Sequence, residues 1–348
     1  MMHSIIREDI AHIISAPLPW DILRGKTVLI SGANGFLPAY MVETLLGLND
    51  RLDMNIHVIG IVRSEERARQ RFAHHAGRND FKLHVADVTR LVFRSDTPVH
   101  FVVHAASQAS PKYYGIDPVG TLTANTTGTQ NMLEVARQSQ SERFLYFSSS
   151  EVYGQLEARQ IPTNEMQLGC LDSMALRSCY AEGKRLGETM CVAWSHQYGL
   201  STVIVRPFHT YGPGMALDDG RIFADLVSDI VNGKNIVLSS SGAATRSFCY
   251  LRDAIIGFFT VMLHGKTTEA YNVGNPECEI SIRGLAEKLV TLFPEKKLSV
   301  VLDIPPQNGY IPSAVQRSVP DITKIKSLGW QPTTTVEEGF TRTIKSYT

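Results

Sequence analysis

A tyrosine and a lysine four residues apart, Tyr180 and Lys184, form the most informative chemical pattern in the chain. At this spacing the two side chains share one face of a helix, so the lysine ammonium can lie beneath the phenol and favour its ionised form. Lowering a phenol pKa from about 10 to about 7 requires roughly 4 kcal/mol, which a nearby cation in a partly desolvated site can supply. The spacing therefore predicts a general base at Tyr180, although an isolated pair of this kind also fits an ordinary amphipathic helix.

Two further patterns favour the catalytic interpretation. The first is a hydroxyl cluster, Ser148 to Ser150, which ends a predicted strand and is followed by Glu151. The second is a glycine turn between a predicted strand and a predicted helix, where free backbone N–H groups and the helix dipole favour a pyrophosphate. In that turn Gly32 permits the tight bend and Gly35 the close approach of phosphate, while Pro38 stands where a third glycine is expected.

The choice between the two nicotinamide dinucleotides is usually decided at the end of the second strand, where an acidic residue suits NAD and an arginine suits the 2′-phosphate of NADP. Arg63 occupies this position and favours NADP, although a solvated arginine fits equally well. Asp87 follows the third predicted strand and is placed to meet the adenine. Ala105 and Ala106 follow the fourth and leave room for the dinucleotide. Each of the three also fits an ordinary turn or packing residue.

Six short β-rich runs alternate with helical stretches and predict a doubly wound, parallel α/β sheet of the Rossmann type. The predicted strands are 27–31, 57–62, 82–87, 101–106, 143–149 and 201–207. Runs that are apolar throughout, such as Val28 to Ile30, are typical of strands buried on both faces. Ligands of such sheets bind at the carboxyl ends of the strands, and both the glycine turn and the serine cluster fall there.

The sequence also divides into segments that differ in glycine and proline content. We expect an N-terminal helix within residues 1–24 that packs on the body of the protein, and a dinucleotide-binding domain over 25–206. A strand near 269–274 is expected to return to the main sheet, so that about 245–276 completes this domain. The remaining segments, 207–244 and 277–348, are rich in glycine and proline and predict a smaller, discontinuous substrate-binding lobe.

Composition excludes several classes of function. The 34 basic residues balance the 34 acidic ones, which argues against a nucleic-acid or anionic-membrane partner. The five cysteines form no C-x-x-C pair and no His grouping at metal-ligand spacing, so neither disulfides nor a metal site are predicted and a cytoplasmic location is expected. The longest apolar run, 254–263, is far shorter than the roughly 20 residues that span a bilayer. The N-terminus lacks the unbroken apolar core of a signal peptide.

Together these motifs resemble the extended short-chain dehydrogenase/reductase family, in its nucleotide-sugar epimerase, dehydratase and decarboxylase branch. The resemblance runs from Lys26 to the carboxyl end. It is most similar to the UDP-glucuronate decarboxylases in the segments 109–111, 118–119, 125–128, 177–180, 211–213, 218–221, 245–248 and 320–322. It implies a bound NAD, with NADP suggested by Arg63, and a UDP- or other nucleotide-sugar substrate that is first oxidised at C4. It also implies a homodimer, through the helix that carries Tyr180 and the one around 128–138.

Roles for individual residues follow from the resemblance by position. Tyr180 is the base for the C4 hydroxyl, Lys184 its electrostatic support and ribose anchor, and Ser149 a hydrogen-bond partner of the C4 oxygen. Implied substrate contacts are Ser110, Ser150, Glu151, His209, Arg221 and Arg246, the two arginines near the diphosphate. Implied cofactor contacts are Gly32, Asn34, Gly35, Phe36, Leu37, Arg63, Asp87, Val88, Ala105, Ala106, Ser107, Asn125, Tyr180, Lys184, Pro207 and His209.

The residues after Ser149 bear on which reaction follows oxidation. Dehydratases of this branch carry an Asp-Glu pair, whereas here Ser150 replaces the aspartate, so a 4,6-dehydratase is disfavoured. The Ser-Ser-Glu order through Glu151 resembles the decarboxylases, which makes Glu151 a fourth catalytic candidate. Arg63, Pro38 and His209, which stands where the family generally has asparagine, depart from the usual pattern. A 4-epimerase and an NADPH-dependent 4-keto-sugar reductase therefore stay open, and a non-catalytic dinucleotide sensor is disfavoured by the intact catalytic residues.

Overall fold

The structure is a computed structural model that describes residues 2–93, 98–303 and 315–348. Its strands in chain order are β1 Thr27–Ser31, β2 His57–Val62, β3 Phe81–Val85, β4 Phe101–His104, β5 Arg143–Phe147, β6 Thr202–Pro207, β7 His209–Tyr211, β8 Ile236–Leu238, β9 Thr245–Tyr250, β10 Glu269–Val273, β11 Glu279–Ser281, β12 Val300–Leu302 and β13 Arg317–Ser318. Its helices are α1 Ser4–Ser15, α2 Phe36–Leu52, α3 Glu65–Arg71, α4 Pro118–Asn125, α5 Thr127–Gln138, α6 Ser178–Tyr198, α7 Ile222–Val231, α8 Leu251–His264, α9 Ile282–Leu292, α10 Thr323–Lys326 and α11 Val336–Lys345.

The central sheet has seven parallel strands in the order β10-β6-β5-β4-β1-β2-β3. The order reverses beside β1, which creates the crevice at the carboxyl ends where ligands of doubly wound sheets bind. Helices cover both faces, so β1 and β4 are buried at every position, as the unbroken apolar runs indicate. The predicted Rossmann fold is confirmed.

The six predicted strands correspond to β1 to β6 of the central sheet, and those at 27–31 and 57–62 agree to the residue. The short strands of the second core were not predicted. The predictions for β3, β4 and β5 run two residues too far, because the strand pairing ends before Ala86, Ala105 and Ser148. These residues belong to the turns that face the crevice. The strand expected to return to the main sheet is β10, which pairs with β6 at the edge.

The N-terminal helix α1 packs tightly against α2. A Cβ atom at Gly47 of α2 would lie 2.9 Å from Ile14 Cδ1 and 3.0 Å from Ile10 Cγ2, so a larger residue would force these side chains to move. On its other side α1 buries Asp9, whose carboxylate accepts a hydrogen bond of 2.6 Å from the Tyr250 hydroxyl. Desolvation raises the pKa of this carboxyl despite that bond and the nearby Arg342.

A second hydrophobic core lies beyond the main sheet, formed by α7, α9, α11 and the short strands β7, β8 and β9. Its centre is aromatic: the rings of Tyr211 and Phe340 stack at 3.8 Å, and Phe248 meets Phe340 edge to face. The cleft described below lies between this core and the carboxyl ends of the central strands. The segment boundaries given above for the two lobes stay a prediction. Within the described ranges, every helix is too short or too polar to cross a bilayer.

Candidate active site

One cleft of about 690 Å³ opens at the carboxyl ends of the central strands. It brings together most of the residues singled out in the sequence, and the following line it: Gly32, Asn34, Gly35, Phe36, Leu37, Arg63, Asp87, Val88, Ala105, Ala106, Ser107, Ser149, Ser150, Glu151, Tyr180, Lys184, Pro207, His209, Arg221 and Arg246. They come from the loops after β1 to β6, from α6 and from the second core. Their convergence depends on the parallel sheet, which places successive strand ends along one edge.

Two of the singled-out residues lie outside this lining. Asn125 is fully buried, and its side-chain amide donates a hydrogen bond of 2.8 Å to the Thr121 carbonyl. A Cβ atom added at Gly183 would lie 3.1 Å from the Cβ of Asn125. Asn125 therefore packs α4 against α6. The Ser110 hydroxyl is also buried and donates to the carbonyl oxygen of Asp219, which fixes the loop before α7.

The glycine turn after β1 has the shape of a phosphate cradle. Gly32 has φ +66°, and a Cβ atom there would lie 2.8 Å from Ala106 Cα, so the backbones of two strand ends approach as closely as only glycine permits. Gly35 is the N-cap of α2, and its extended backbone leaves the first N–H groups of the helix facing the cleft. Pro38 is the third residue of α2, where its missing N–H costs no intrahelical bond.

Two polar atoms buried in the cleft wall have no hydrogen-bond partner among the described residues, Ser107 Oγ and His209 Nδ1. Buried polar atoms are almost always paired, so both fit contacts with a bound polar molecule. Burial, with a smaller effect of Arg246 and Arg221, lowers the pKa of His209 to about 3. The imidazole is therefore neutral at neutral pH. With the Gly32 cradle, these atoms fit a dinucleotide and its sugar partner.

The Tyr180 phenol is buried, and this corrects the prediction of a lowered pKa. Desolvation raises the pKa to about 12, although a hydrogen bond with Ser149 and the charge of Arg221 act in the opposite direction. The carboxylate of Glu151 adds to the increase. The protein's own groups therefore do not bring the phenol to about 7, because the sequence pattern supplies the cation but does not reveal the cost of burying a phenolate.

The contacts of the Lys184 side chain explain why the lysine does not offset the cost of burying the Tyr180 phenolate. Its Nζ donates a hydrogen bond of 2.6 Å to the Phe147 carbonyl and lies 5.8 Å from the centre of the Tyr180 ring. It also lies 5.1 Å from the centre of the Tyr146 ring. Burial lowers the pKa of Lys184 to about 7, partly opposed by the charge of Glu188. The lysine thus lies beneath the tyrosine, as the helical spacing predicts, and its ammonium group is directed to the carbonyl at the end of β5.

The sequence analysis missed an ion pair that lies in the cleft close to Tyr180. Arg177 Nη2 lies 3.2 Å from Glu151 Oε1, and both side chains are about one-third exposed, at 33% and 38%. The guanidinium carbon is 5.7 Å above the Tyr114 ring, which stacks on Tyr180 at 5.4 Å. The signal was present, since Arg177 lies in the 177–180 motif, three residues before the tyrosine.

The sequence analysis also missed a hydrogen-bond network around Glu188, next to the serine cluster 148–150. Glu188, one helical turn after Lys184, accepts two hydrogen bonds from Arg206, of 2.8 and 2.6 Å. The Ser148 hydroxyl also donates to it, and the Tyr153 hydroxyl accepts 3.0 Å from Arg206. This network ties the ends of β5 and β6 to α6, and therefore holds Ser149 against Tyr180.

The arginines at the two ends of the cleft differ in their setting. Arg221 pairs with Asp219 next to it, and Arg246 Nη2 donates 2.8 Å to the Val315 carbonyl. Both lie at the end formed by the second core. Arg63 is exposed at the opposite end, near Asp87. Burial acts to raise the pKa of Asp87, but the hydrogen bonds from Thr89 and the charge of Arg63 outweigh it and lower the pKa. The cleft therefore has positive charge at both ends and a phenol between them.

Comparison with known sequences supports one family. The family model of the "NAD dependent epimerase/dehydratase family" matches residues 28–274. A UDP-glucuronic acid decarboxylase 1 from Danio rerio is 34% identical over 327 residues, covering 92% of this chain and 72% of that protein. A UDP-glucuronic acid decarboxylase 6 from Arabidopsis thaliana is 33% identical over 332 residues, covering 93% of this chain and 91% of that protein.

Solved structures resemble the fold. A UDP-glucose 4-epimerase from Thermotoga maritima with UDP-glucose has a TM-score of 0.76 at 21% identity, covering 92% of this chain and 98% of that chain. A UDP-glucuronic acid 4-epimerase from Bacillus cereus, in complex with UDP-glucuronic acid and NAD, has a TM-score of 0.74 at 22% identity with the same coverage. At these identities the likeness concerns the architecture.

Proposed function

The chain belongs to the NAD-dependent epimerase/dehydratase family, and from this premise we propose that it is an NAD-dependent enzyme that oxidises UDP-glucuronate at C4 and decarboxylates it. The relatives named above, which carry a decarboxylase name and match almost the full chain, support this substrate. The roles of the individual residues are part of the proposal.

One observation carries the choice of a uronate substrate: Arg177 lies beside Glu151 in the cleft, next to the Tyr114 and Tyr180 stack. The decarboxylase names of the relatives and the order Ser149, Ser150, Glu151 support the reaction. A guanidinium at this position suits a sugar carboxylate, because charge-assisted hydrogen bonds to a carboxylate are about twice as strong as neutral ones. Glu151 keeps the guanidinium in place and provides a carboxyl group for proton transfer. A neutral hexose offers this pair no charged partner.

The proposed chemistry begins at the C4 hydroxyl. Bound NAD supplies the acceptor for the C4 hydride and, in its oxidised form, a positive charge that favours the phenolate. Tyr180 takes the hydroxyl proton while Ser149 donates a hydrogen bond to the C4 oxygen. Once C4 is a ketone, the C5 carboxylate belongs to a β-keto acid. The bond from C5 to the carboxyl carbon breaks, its electron pair moves into the C4 carbonyl as carbon dioxide leaves, and C5 then takes a proton from the Glu151 carboxyl or from water. Return of the hydride to C4, with the proton held by Tyr180 going back to the C4 oxygen, would complete UDP-xylose and restore oxidised NAD.

Incubation of the purified protein with UDP-glucuronate and NAD tests the proposal. We expect carbon dioxide and UDP-xylose, detected by isotope release from carboxyl-labelled substrate and by NMR. Tyr180→Phe should abolish turnover, and Tyr113→Phe, a nearby tyrosine outside the cleft lining, serves as the matched control. An isomeric hexuronate would instead show a 4-epimerase. Unchanged substrate across a panel of nucleotide sugars would point to a dinucleotide sensor.

A second candidate is an NADPH-dependent 4-keto-sugar reductase, favoured by Arg63. The side chain is exposed at the dinucleotide end of the cleft, and Arg67 lines the cleft close by. Two guanidinium groups suit a 2′-phosphate, whereas an acidic residue is the usual partner of the NAD ribose. Oxidation of NADPH by a nucleotide 4-keto sugar, faster than oxidation of NADH, would favour this reaction.

We also propose a homodimer formed through α5 and α6, the helices expected from the resemblance, together with the adjoining α4. Leu122, Leu186 and Val192 are large apolar side chains on these helices that are 40%, 48% and 46% exposed. Sedimentation of the wild type and of Leu186→Glu tests this: a dimer that the substitution converts to monomer supports it, and a monomeric wild type contradicts it. The five unpaired cysteines support a reducing, cytoplasmic compartment.

A further inference from the structure

Three potential metal ligands meet outside the cleft, although the sequence analysis predicts no metal site. Glu43 lies on α2, and His74 and His75 lie in the 3-10 turn that follows α3. His74 Nε2 is 2.9 Å from one carboxylate oxygen of Glu43, and His75 Nε2 is 2.6 Å from the other. The donor atoms of the three side chains all lie within 4.8 Å of one another.

The protein encloses this cluster on the Glu43 side and leaves it open at His74. The side chains of Glu43 and His75 are only 7% and 8% exposed, while that of His74 is 21% exposed. Burial alone would raise the pKa of Glu43, but the hydrogen bonds from the two imidazoles outweigh it and lower the pKa. The carboxylate is therefore ionised and desolvated at neutral pH, and the partly open side at His74 gives an ion a path to it.

We propose that Glu43, His74 and His75 bind one divalent transition-metal ion, with Zn²⁺ preferred over Mg²⁺. Two imidazole nitrogens and one carboxylate oxygen form a ligand set that suits zinc, cobalt, nickel and copper, whereas Mg²⁺ prefers oxygen ligands. Zinc bonds of about 2.0 to 2.2 Å place tetrahedral ligands about 3.3 Å apart. Each nitrogen–oxygen pair therefore needs to open by less than about 1 Å, and a water molecule completes the coordination.

Binding exchanges two hydrogen bonds for coordination. The metal takes the Nε2 lone pairs, and each neutral imidazole carries its remaining proton on Nδ1. The ion has a structural role, because it joins α2, the helix that begins at the dinucleotide turn, to the turn after α3. The last residue of α3, Arg71, donates 3.0 Å to the Gly214 carbonyl. Its charge also acts on Glu43. This charge opposes the ion, so we expect a chelator to remove the metal.

Cobalt is the probe for the test, because four-coordinate Co²⁺ absorbs visible light. Untagged protein, dialysed against a chelator, is titrated with Co²⁺ and then with Zn²⁺ or Mg²⁺. We expect visible bands that saturate at one equivalent, disappear on addition of Zn²⁺ and persist in Mg²⁺, together with a Zn²⁺-dependent rise in Tm. His75→Gln and Glu43→Gln should lose the bands, whereas His196→Gln, at an exposed histidine of α6, should keep them.

The cobalt titration overturns the proposal if no visible bands appear at one equivalent, or if the bands persist in both His75→Gln and Glu43→Gln. Bands lost in Cys170→Ser, at the exposed cysteine, but kept in His75→Gln also overturn it by assigning the cobalt to a thiol. Histidine footprinting of the wild type does not depend on how the variants fold. Zn²⁺ should protect His74 and His75 from acylation and leave His196 reactive, and equal reactivity with and without Zn²⁺ contradicts the site.

Discussion

Replacement of Lys184 by methionine should remove activity and, at low pH, increase the stability of the protein. The lysine is 2% exposed, and its pKa falls from 10.5 to about 7 on burial. This difference corresponds to about 5 kcal/mol, because each pKa unit is worth 1.36 kcal/mol. The ammonium therefore destabilises the folded state wherever both states are protonated. Its hydrogen bond to Phe147 returns roughly 1.5 to 3 kcal/mol, so we expect a net gain of about 2 to 3.5 kcal/mol in Lys184→Met at pH 6.

The sign of the pH dependence makes this prediction specific. Between the folded pKa near 7 and the unfolded pKa near 10.5 the unfolded state binds the additional proton, so the contribution of Lys184 to stability rises with pH in that window. From pH 6 to pH 9 the wild type should gain about 2.7 kcal/mol from this group, calculated as two pKa units at 1.36 kcal/mol each. Lys184→Met lacks this gain, so its advantage at pH 6 should disappear or reverse by pH 9.

Urea denaturation of protein freed of dinucleotide, at pH 6, 7, 8 and 9, measures the difference in the free energy of unfolding. Lys345→Met, at an exposed position of α11, is the matched control and should show no pH-dependent difference from the wild type. A Lys184→Met difference that stays constant from pH 6 to 9 would refute the reasoning, because the buried lysine would then not lose its proton in this range.

Three further predictions concern packing, substrate and cofactor. Gly187→Ala should destabilise the fold by about 1 to 3 kcal/mol in urea denaturation, since its Cβ would lie 2.1 Å from the Tyr146 hydroxyl; wild-type stability would contradict this contact. Arg177→Gln should raise KM for UDP-glucuronate by about tenfold or more, because it removes one charge-assisted contact worth at least about 1.5 kcal/mol. The Kd for UDP, which lacks the sugar carboxylate, should stay unchanged. An equal loss of affinity for UDP would instead assign Arg177 to general folding. Arg63→Ala should weaken NADP binding and leave NAD binding nearly unchanged, measured by fluorescence titration, and an equal effect on both would remove the arginine from the 2′-phosphate.

The sequence by itself determined where the first six strands of the central sheet lie along the chain and which residues gather at their carboxyl ends. Runs such as Val28 to Ile30 are apolar at every position, and that local pattern is sufficient to indicate a buried parallel strand. The spacing of Tyr180 and Lys184 likewise places both on one helix face, and both line the cleft with Ser149. Periodicity and turn chemistry are local properties, so they can be read without knowledge of the rest of the fold.

Only the tertiary structure decided the electrostatics and the contacts between distant segments. The pKa of Tyr180 rises to about 12, in contrast to the sequence prediction, because burial depends on everything packed around the phenol. Arg177 meets Glu151 and Glu43 meets the histidine pair through folding of chain segments that the sequence leaves apart. Residue identity fixes which charges exist, whereas desolvation and distance, which set their free energies, are properties of the packed molecule.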